Sequence, residues 1–249
     1  YMIDFPWNDN YHPGSNPDHL GSGYWSWNVR SMLRNSYESD GLSESSFADG
    51  DAARYPVIID TNTTIMDDKL VGDIEKYVRD GGTFVTFVQT GRHTSAVKDA
   101  WPIEKLTGYH VTPLTQKNSW QNNALKWAGN QPIFSGDWLN AKADGLSLKK
   151  VADDAQDLAY WKDDGSVAIG MRPLGKGVII QIGCRFTKGG LPQRIDYDLW
   201  NYYKGQSSLD AYGLPPTTDN GLLSPELRAT HQLFTQILQW RKIEPMPMR

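Results

Sequence analysis

The chain has 249 residues, 39% of them hydrophobic and 22% charged, with a formal net charge of −4. That length buries a core without covalent staples, and the scattered Lys and Arg residues lack the basic face a nucleic-acid partner needs. The single cysteine, Cys184, excludes an internal disulfide, and no apolar run reaches the roughly eighteen residues that a membrane helix requires.

The chain opens YMIDFPWNDN, without an initiator Met, a basic start or an apolar signal region, so it reads as a segment of a longer protein. Bacterial cytoplasm, periplasm and secretion all remain open. Aromatic residues make up 12% and include ten Trp. Many lie in Gly-, Asn- and Asp-rich stretches, where they either fill irregular packing or form sugar-stacking and subunit-contact surfaces.

Tyr1–Phe5 reads as a first strand, followed by a polar loop over Pro6–Gly23. Trp25, Val29, Met32 and Leu33 place a helix over Tyr24–Tyr37, with Gly41 as a stop just beyond it. Pro56–Asp60 (PVIID) suits a buried parallel strand. Asp67–Asp80 is the clearest helix. Leu70, Val71, Ile74, Tyr77 and Val78 form its stripe, acidic residues sit at its positive end, and Gly81-Gly82 ends it. Thr83–Gln89 (TFVTFVQ) is a second buried strand. Short crossovers of this kind imply a parallel sheet with helices on both faces. Ligands of such sheets gather beyond the carboxyl ends of the strands, which here feed Pro6–Gly23, Thr61–Met66 and Thr90–Ala100.

The second half changes character. Leu158–Lys162 and Ser166–Met171 flank an Asp-Asp-Gly turn, and a second turn at Pro173–Gly177 leads into Val178–Gly183, an antiparallel meander. Arg185–Leu223 carries Tyr197, Trp200, Tyr202, Tyr203 and Tyr212 without clear periodicity, which suggests a functional or contact loop. A helix over Pro225–Trp240 closes the chain, with Ser224 as N-cap and Leu233, Phe234, Ile237 and Leu238 as its stripe.

The stretch YPVIIDTNTTIMDDKLVGDIEKYVRDGGTFVTFVQTG (Tyr55–Gly91), the block AYWKDDGSVAIGMRPLGKGVIIQIG (Ala159–Gly183) and the opening YMIDFPW together resemble the β-galactosidase trimerisation domain. The resemblance covers about two-thirds of the chain, and the order and spacing of its motifs are its stronger part. It implies a class I glutamine amidotransferase-like fold: a flavodoxin-type parallel sheet flanked by helices, with an antiparallel β extension in the second half. With no internal repeat or low-complexity linker, the chain reads as one α/β domain over 1–249, which departs from the family pattern in long inserts at about 6–23 and 185–223. In glycoside hydrolases this module follows a catalytic (β/α)₈ barrel and helps assemble the oligomer.

True class I amidotransferases carry a cysteine on a sharp turn after a strand. The matching position here is about Gln89–Gly91, and it holds no cysteine. Gln89 cannot act as nucleophile, and Thr90 would need an adjacent base, for which His93 is the nearest residue in sequence. Cys184 reads as a small buried hydrophobe. His12, Asp18 and His19 match no familiar metal spacing, and Asp153–Asp157 lacks the glycine and final Glu of a calcium loop. Asp4 and Asp60 fall at strand ends, where a carboxyl group commonly caps the following loop.

Three readings therefore stand. The first is a non-catalytic accessory and oligomerisation module, whose partners are other domains or subunits of the parent enzyme. The second is a carbohydrate-binding module that uses Trp7, Tyr11, Trp200, Tyr202 or Tyr203. The third is a divergent amidotransferase-like hydrolase. None of them calls for a cofactor, a metal, a nucleic acid or a membrane.

Overall fold

The structure is a computed structural model, and it describes residues 2–3, 33, 37–60, 63–112, 121–138, 141–186 and 225–246. Along the chain lie β1 (Met2–Ile3), β2 (Gly41–Leu42), α1 (Ser45–Ala48), a 3₁₀ turn (Asp51–Arg54), β3 (Val57–Asp60), α2 (Asp68–Asp80), β4 (Thr83–Phe87), α3 (Glu104–Thr107) and β5 (Tyr109–Val111). There follow β6 (Gln121–Asn123), β7 (Leu125–Trp127), β8 (Ala143–Gly145), β9 (Leu148–Lys150), β10 (Gln156–Trp161), β11 (Val167–Leu174), β12 (Gly177–Ile182), β13 (Cys184–Arg185) and α4 (Pro225–Trp240). The fold of the described residues is α/β, with one large mixed sheet and few helices.

The sheet runs β2-β1-β3-β4-β12-β11-β10-β7, with β9 and β5 branching from β11. Its first five strands are parallel. β4 is the centre: Val57 and Val178 flank Thr83, Ile58 and Ile179 flank Phe84, and Ile59 and Ile180 flank Val85. Every residue of β3, β4 and β12 is buried. Continuous apolar runs of this kind belong to strands covered on both faces.

Alternation along these strands sorts their side chains between two cores. Ile58, Phe84 and Ile179 pack with the α2 stripe of Leu70, Val71, Ile74, Tyr77 and Val78. Ile59, Val85, Phe87 and Ile180 pack with Leu233, Phe234, Ile237 and Leu238 of α4. The Phe87 and Phe234 rings lie 6.0 Å apart between centroids. Each helix is amphipathic because each covers one face only. The covering of the sheet by a helix on each face agrees with the sequence reading. No helix of the described residues is long and apolar enough to cross a membrane.

Antiparallel pairing begins at β12. β11 joins it as a hairpin around Gly175-Lys176, so Pro173 and Leu174 extend the strand instead of forming the turn. The third strand of the meander is therefore also the fifth parallel strand, and one sheet holds both halves together. Gly41, expected to stop a helix, opens the two-residue strand β2, which is too short to show a period. Of the helix expected over Tyr24–Tyr37, only Leu33 and Tyr37 are described, and both are buried in the α4-side core. Between α3 and β10 the chain makes strands of three residues each, again below the length at which periodicity is legible. A second, small sheet holds β13, β8 and β6.

Candidate functional site

Beyond the carboxyl ends of β3 and β4, two loops zip together and bury the polar side chains of Thr63, Thr64, Gln89, Thr90, Arg92 and His93. Asp60 ends β3 fully buried, and its Oδ1 accepts the Thr63 N–H at 2.9 Å. This carboxylate caps its own loop. The Gly91 N–H donates to the Thr63 carbonyl at 2.7 Å, and the His93 N–H to the Thr64 carbonyl at 2.8 Å. The Met66 N–H returns to the His93 carbonyl at 2.9 Å. Ile65 and His93 form a parallel bridge, so the loops prolong the sheet past its regular end.

Immediately after β4 the backbone turns sharply. Val88 has φ of 29°, and its N–H donates to the Ile182 carbonyl at 2.7 Å. Positive φ at a β-branched residue is costly, about 1–3 kcal/mol, and survives only where the surroundings enforce it. Val88 is 4% exposed and belongs to the α4-side core. Gln89 and Thr90 follow, each 3% exposed. The Thr90 hydroxyl donates to the Phe87 carbonyl at 3.0 Å and accepts the Phe87 N–H at 2.9 Å. Gly91, at φ of 60°, lies where a Cβ would come within 2.8 Å of the Ile103 Cβ. Only glycine meets both demands without strain.

The far side of the turn is electrostatic. Arg92 and His93 are 6% and 3% exposed. The Arg92 guanidinium pairs with Asp99, whose own N–H donates to His93 Nδ1 at 2.9 Å. Burial pushes the Asp99 carboxyl up, but the hydrogen bond and charge of Arg92, aided by His93 and Lys98, hold it below the ordinary carboxylate value. His93 Nδ1 is thus an acceptor of a backbone N–H. Thr90 and His93 are neighbours in the turn, yet the hydroxyl partners of Thr90 are both groups of Phe87.

The amino end of α2 opens beside this turn. A free helix amino end attracts phosphate. Here Asp67 stands at the N-cap and accepts the Ser95 N–H, and Asp68 in the first turn pairs with Lys105 at 3.0 Å. Two carboxylates at this end disfavour an added anion there.

Cys184 is fully buried in the α4-side core, as a small hydrophobe. Asp154 pairs with Arg172, and Asp157 accepts the hydroxyls of Tyr109 and Tyr160 at 2.8 and 3.0 Å. Among the described residues, no group of three or more His, Cys, Asp and Glu could hold a metal ion. Trp7, Tyr11, Trp200, Tyr202 and Tyr203 lie outside the described residues, as do Asp4, His12, Asp18 and His19. Sequence reasoning found the turn at Gln89–Gly91 but missed Val88, Arg92, Asp99 and Gln181, the last a 5% exposed residue of β12 paired with Thr86. An Arg and an Asp seven residues apart, and a lone Gln in an apolar strand, were the only signals.

Comparison with solved structures gives the same fold in several bacterial β-galactosidases. The cold-adapted enzyme from Rahnella sp. R3 matches with a TM-score of 0.63 at 14% identity, over 97% of this chain and 31% of its own. The enzyme from the psychrophilic Marinomonas ef1 matches with a TM-score of 0.57 at 12% identity, over 98% and 29%. That from Bacillus circulans sp. alkalophilus matches with a TM-score of 0.55 at 14% identity, over 82% and 31%. The chain thus spans less than a third of the length of these relatives. A comparison with curated protein sequences gives no match. The family model described as beta-galactosidase trimerisation domain matches residues 46–195, which include the two loops, the Val88 turn and the whole β10–β12 meander. The chain belongs to the beta-galactosidase trimerisation domain family.

Proposed function

We propose that the chain is a non-catalytic accessory and oligomerisation module of a carbohydrate-active enzyme, a glycoside hydrolase of the β-galactosidase type. Its partners are the other domains and subunits of that enzyme. We read residues 1–249 as one amidotransferase-like domain. The parallel strands support this reading: numbered in their own succession, β1, β2, β3, β4 and β12 have the order 2-1-3-4-5 of flavodoxin-type sheets. We assign subunit contact to the aromatic-rich stretches with Trp7, Tyr11, Trp200, Tyr202 and Tyr203.

One observation carries the non-catalytic half. The strained residue after the central strand, where a nucleophile elbow would present its reactive atom, is Val88. A valine side chain has nothing to attack with. Thr90 beside it has its hydroxyl tied to the backbone of Phe87, and no cysteine lies in the turn. These observations weigh against the reading of a divergent amidotransferase-like hydrolase that uses Thr90.

The test joins two measurements on the purified chain. Turnover is assayed with chromogenic galactosides and with glutamine, and mass is followed by sedimentation over a concentration series. The expected result is no turnover, with association that strengthens with concentration. Turnover lost in a Thr90→Ala variant would overturn the non-catalytic reading. A strict monomer, both alone and joined to its parent chain, would overturn the oligomerisation reading.

A further inference from the structure

On the α2 side of the sheet, Ile58 of β3, Phe84 of β4 and Ile179 of β12 stand side by side as one apolar row. Two residues further along these strands, the same face carries Asp60, Thr86 and Gln181. Thr86 stands opposite Gln181 in the register, and Asp60 lies one step beyond the Ile59–Val85 pair. The face thus turns from apolar to polar across three adjacent strands. It does so at their carboxyl ends, where α/β sheets hold their ligands.

The polar row is shut off from water. Asp60 is 0%, Thr86 2% and Gln181 5% exposed, and Thr63, whose N–H donates to Asp60 Oδ1, is 1% exposed. Its surroundings are apolar. Met66, Leu70 and Ile103 share a core with Ile58, Phe84 and Ile179. On the β11 side the Tyr109 ring lies against Gly170, the residue opposite Gln181, and its hydroxyl is committed to Asp157 at 2.8 Å. Thr63 Oγ1 and Gln181 Oε1 are buried with no hydrogen-bond partner among the described residues. A buried polar atom left in that state costs about 1–3 kcal/mol, and an ion or water is the usual remedy.

The donor set selects the ligand. Asp60 supplies one carboxylate, while Thr63, Thr86 and Gln181 supply neutral oxygens. An all-oxygen set of this kind takes a hard cation. One carboxylate leaves one negative charge to balance, which suits a singly charged ion. Magnesium keeps several of its waters, and a site this dry does not house them. Among the charged groups around the row, Arg92 is paired with Asp99, and the amino end of α2 carries Asp67 and Asp68. We propose that Asp60, Thr63, Thr86 and Gln181 bind a desolvated alkali cation, sodium or potassium. Neighbouring strands lie about 4.8 Å apart, so Asp60 and Gln181 flank Thr86 from backbones about 10 Å apart. The ion sits between their side chains, over Thr86, and ties three parallel strands to the loop after β3. The site uses a single carboxylate and no His or Cys, and it stands whether or not the chain oligomerises.

The test follows thermal unfolding of the whole chain in choline chloride, into which sodium, potassium, calcium or magnesium chloride is exchanged at constant ionic strength. The expected result is a saturable rise in Tm with sodium or potassium, roughly 3–6 °C at ten times the dissociation constant. The larger response names the ion. Gln181→Leu and Thr86→Val each remove one oxygen of the set. Both should fold in choline and move the midpoint of the rise about tenfold or more to higher ion concentration, the scale of one lost contact to a charged group. Circular dichroism confirms the fold of each variant, and either one suffices if the other unfolds. No rise with either alkali ion overturns the proposal. So does an unchanged midpoint in a folded variant, or a rise produced by calcium or magnesium alone.

Discussion

Replacing Thr90 by Val distinguishes a hydroxyl that holds the turn from one that does chemistry. The Thr90 side chain accepts the Phe87 N–H at 2.9 Å and donates to the Phe87 carbonyl at 3.0 Å. It is 3% exposed, so water cannot take over either bond. Valine keeps the shape and removes both. Each bond is worth about 0.5–1.5 kcal/mol net, so the variant should lose roughly 1–3 kcal/mol. For a chain of this size a loss of about 2 kcal/mol lowers Tm by roughly 4–8 °C. Thr90→Ser keeps the hydroxyl and gives up one methyl, about 1 kcal/mol. Urea unfolding and calorimetry on the three chains at equal concentration measure the difference. If Thr90→Val stays within about 0.5 kcal/mol of the parent chain, the hydroxyl is not the brace of this turn and the reasoning fails. If Thr90→Val instead removed a measurable hydrolytic activity while Tm held, the hydroxyl would be chemical and the module catalytic.

Gly91→Ala should cost roughly 2–4 kcal/mol in urea unfolding, since it combines a left-handed φ with a Cβ driven against Ile103; an unchanged midpoint would contradict the geometry of the turn. Gly170→Ala places a Cβ 2.2 Å from the ring of Tyr109. Its loss should shrink when Tyr109 is also cut to Ala, and a double-mutant cycle with no coupling would refute that contact. Gln181 Oε1 is buried with no hydrogen-bond partner among the described residues. Gln181→Leu should therefore be neutral or stabilising by up to about 2 kcal/mol, and a loss beyond about 1 kcal/mol would mean that the amide is satisfied. Burial lowers the pKa of His231 in α4. The unfolded chain then binds the proton more readily than the folded one, so stability is full above the ordinary imidazole pKa of about 6.5 and falls as pH drops below it. His231→Gln should flatten the denaturation midpoint between neutral and mildly acid pH, and an unchanged pH profile would remove His231 as the cause.

What could be read from the sequence follows from how local each signal is. α2 declared itself because five apolar residues repeat at helical spacing and two glycines end it. α4 did so through Ser224-Pro225 and its own stripe. β3 and β4 were legible as compact β-branched runs. The β11–β12 hairpin was legible too, since its strands are neighbours in the chain. The parallel partnership of β12 with β4 was not, because nothing local in VIIQI says which distant strand will lie on its other side. The three-residue strands β5 to β9 carry less than one readable period and take their conformation from their neighbours.

The turn after β4 shows why a bend can be expected from the sequence while its strained residue is not. The resemblance to class I amidotransferases pointed to Gln89–Gly91. The strained residue is Val88, a type that local preference assigns to the strand. Its positive φ is imposed from outside, by the Ile182 carbonyl that takes its N–H and by the core that holds its side chain. Strain of this kind is usually kept where a reactive atom needs it. Here it aims a side chain with no reactive atom, while Thr90 and Gly91, the next turns of the same loop, hold Phe87 and Thr63 in place. What the bend does in this chain is join the loop after β3 to the loop after β4. A rigid end to the sheet is in keeping with the proposed role of a part held against other parts.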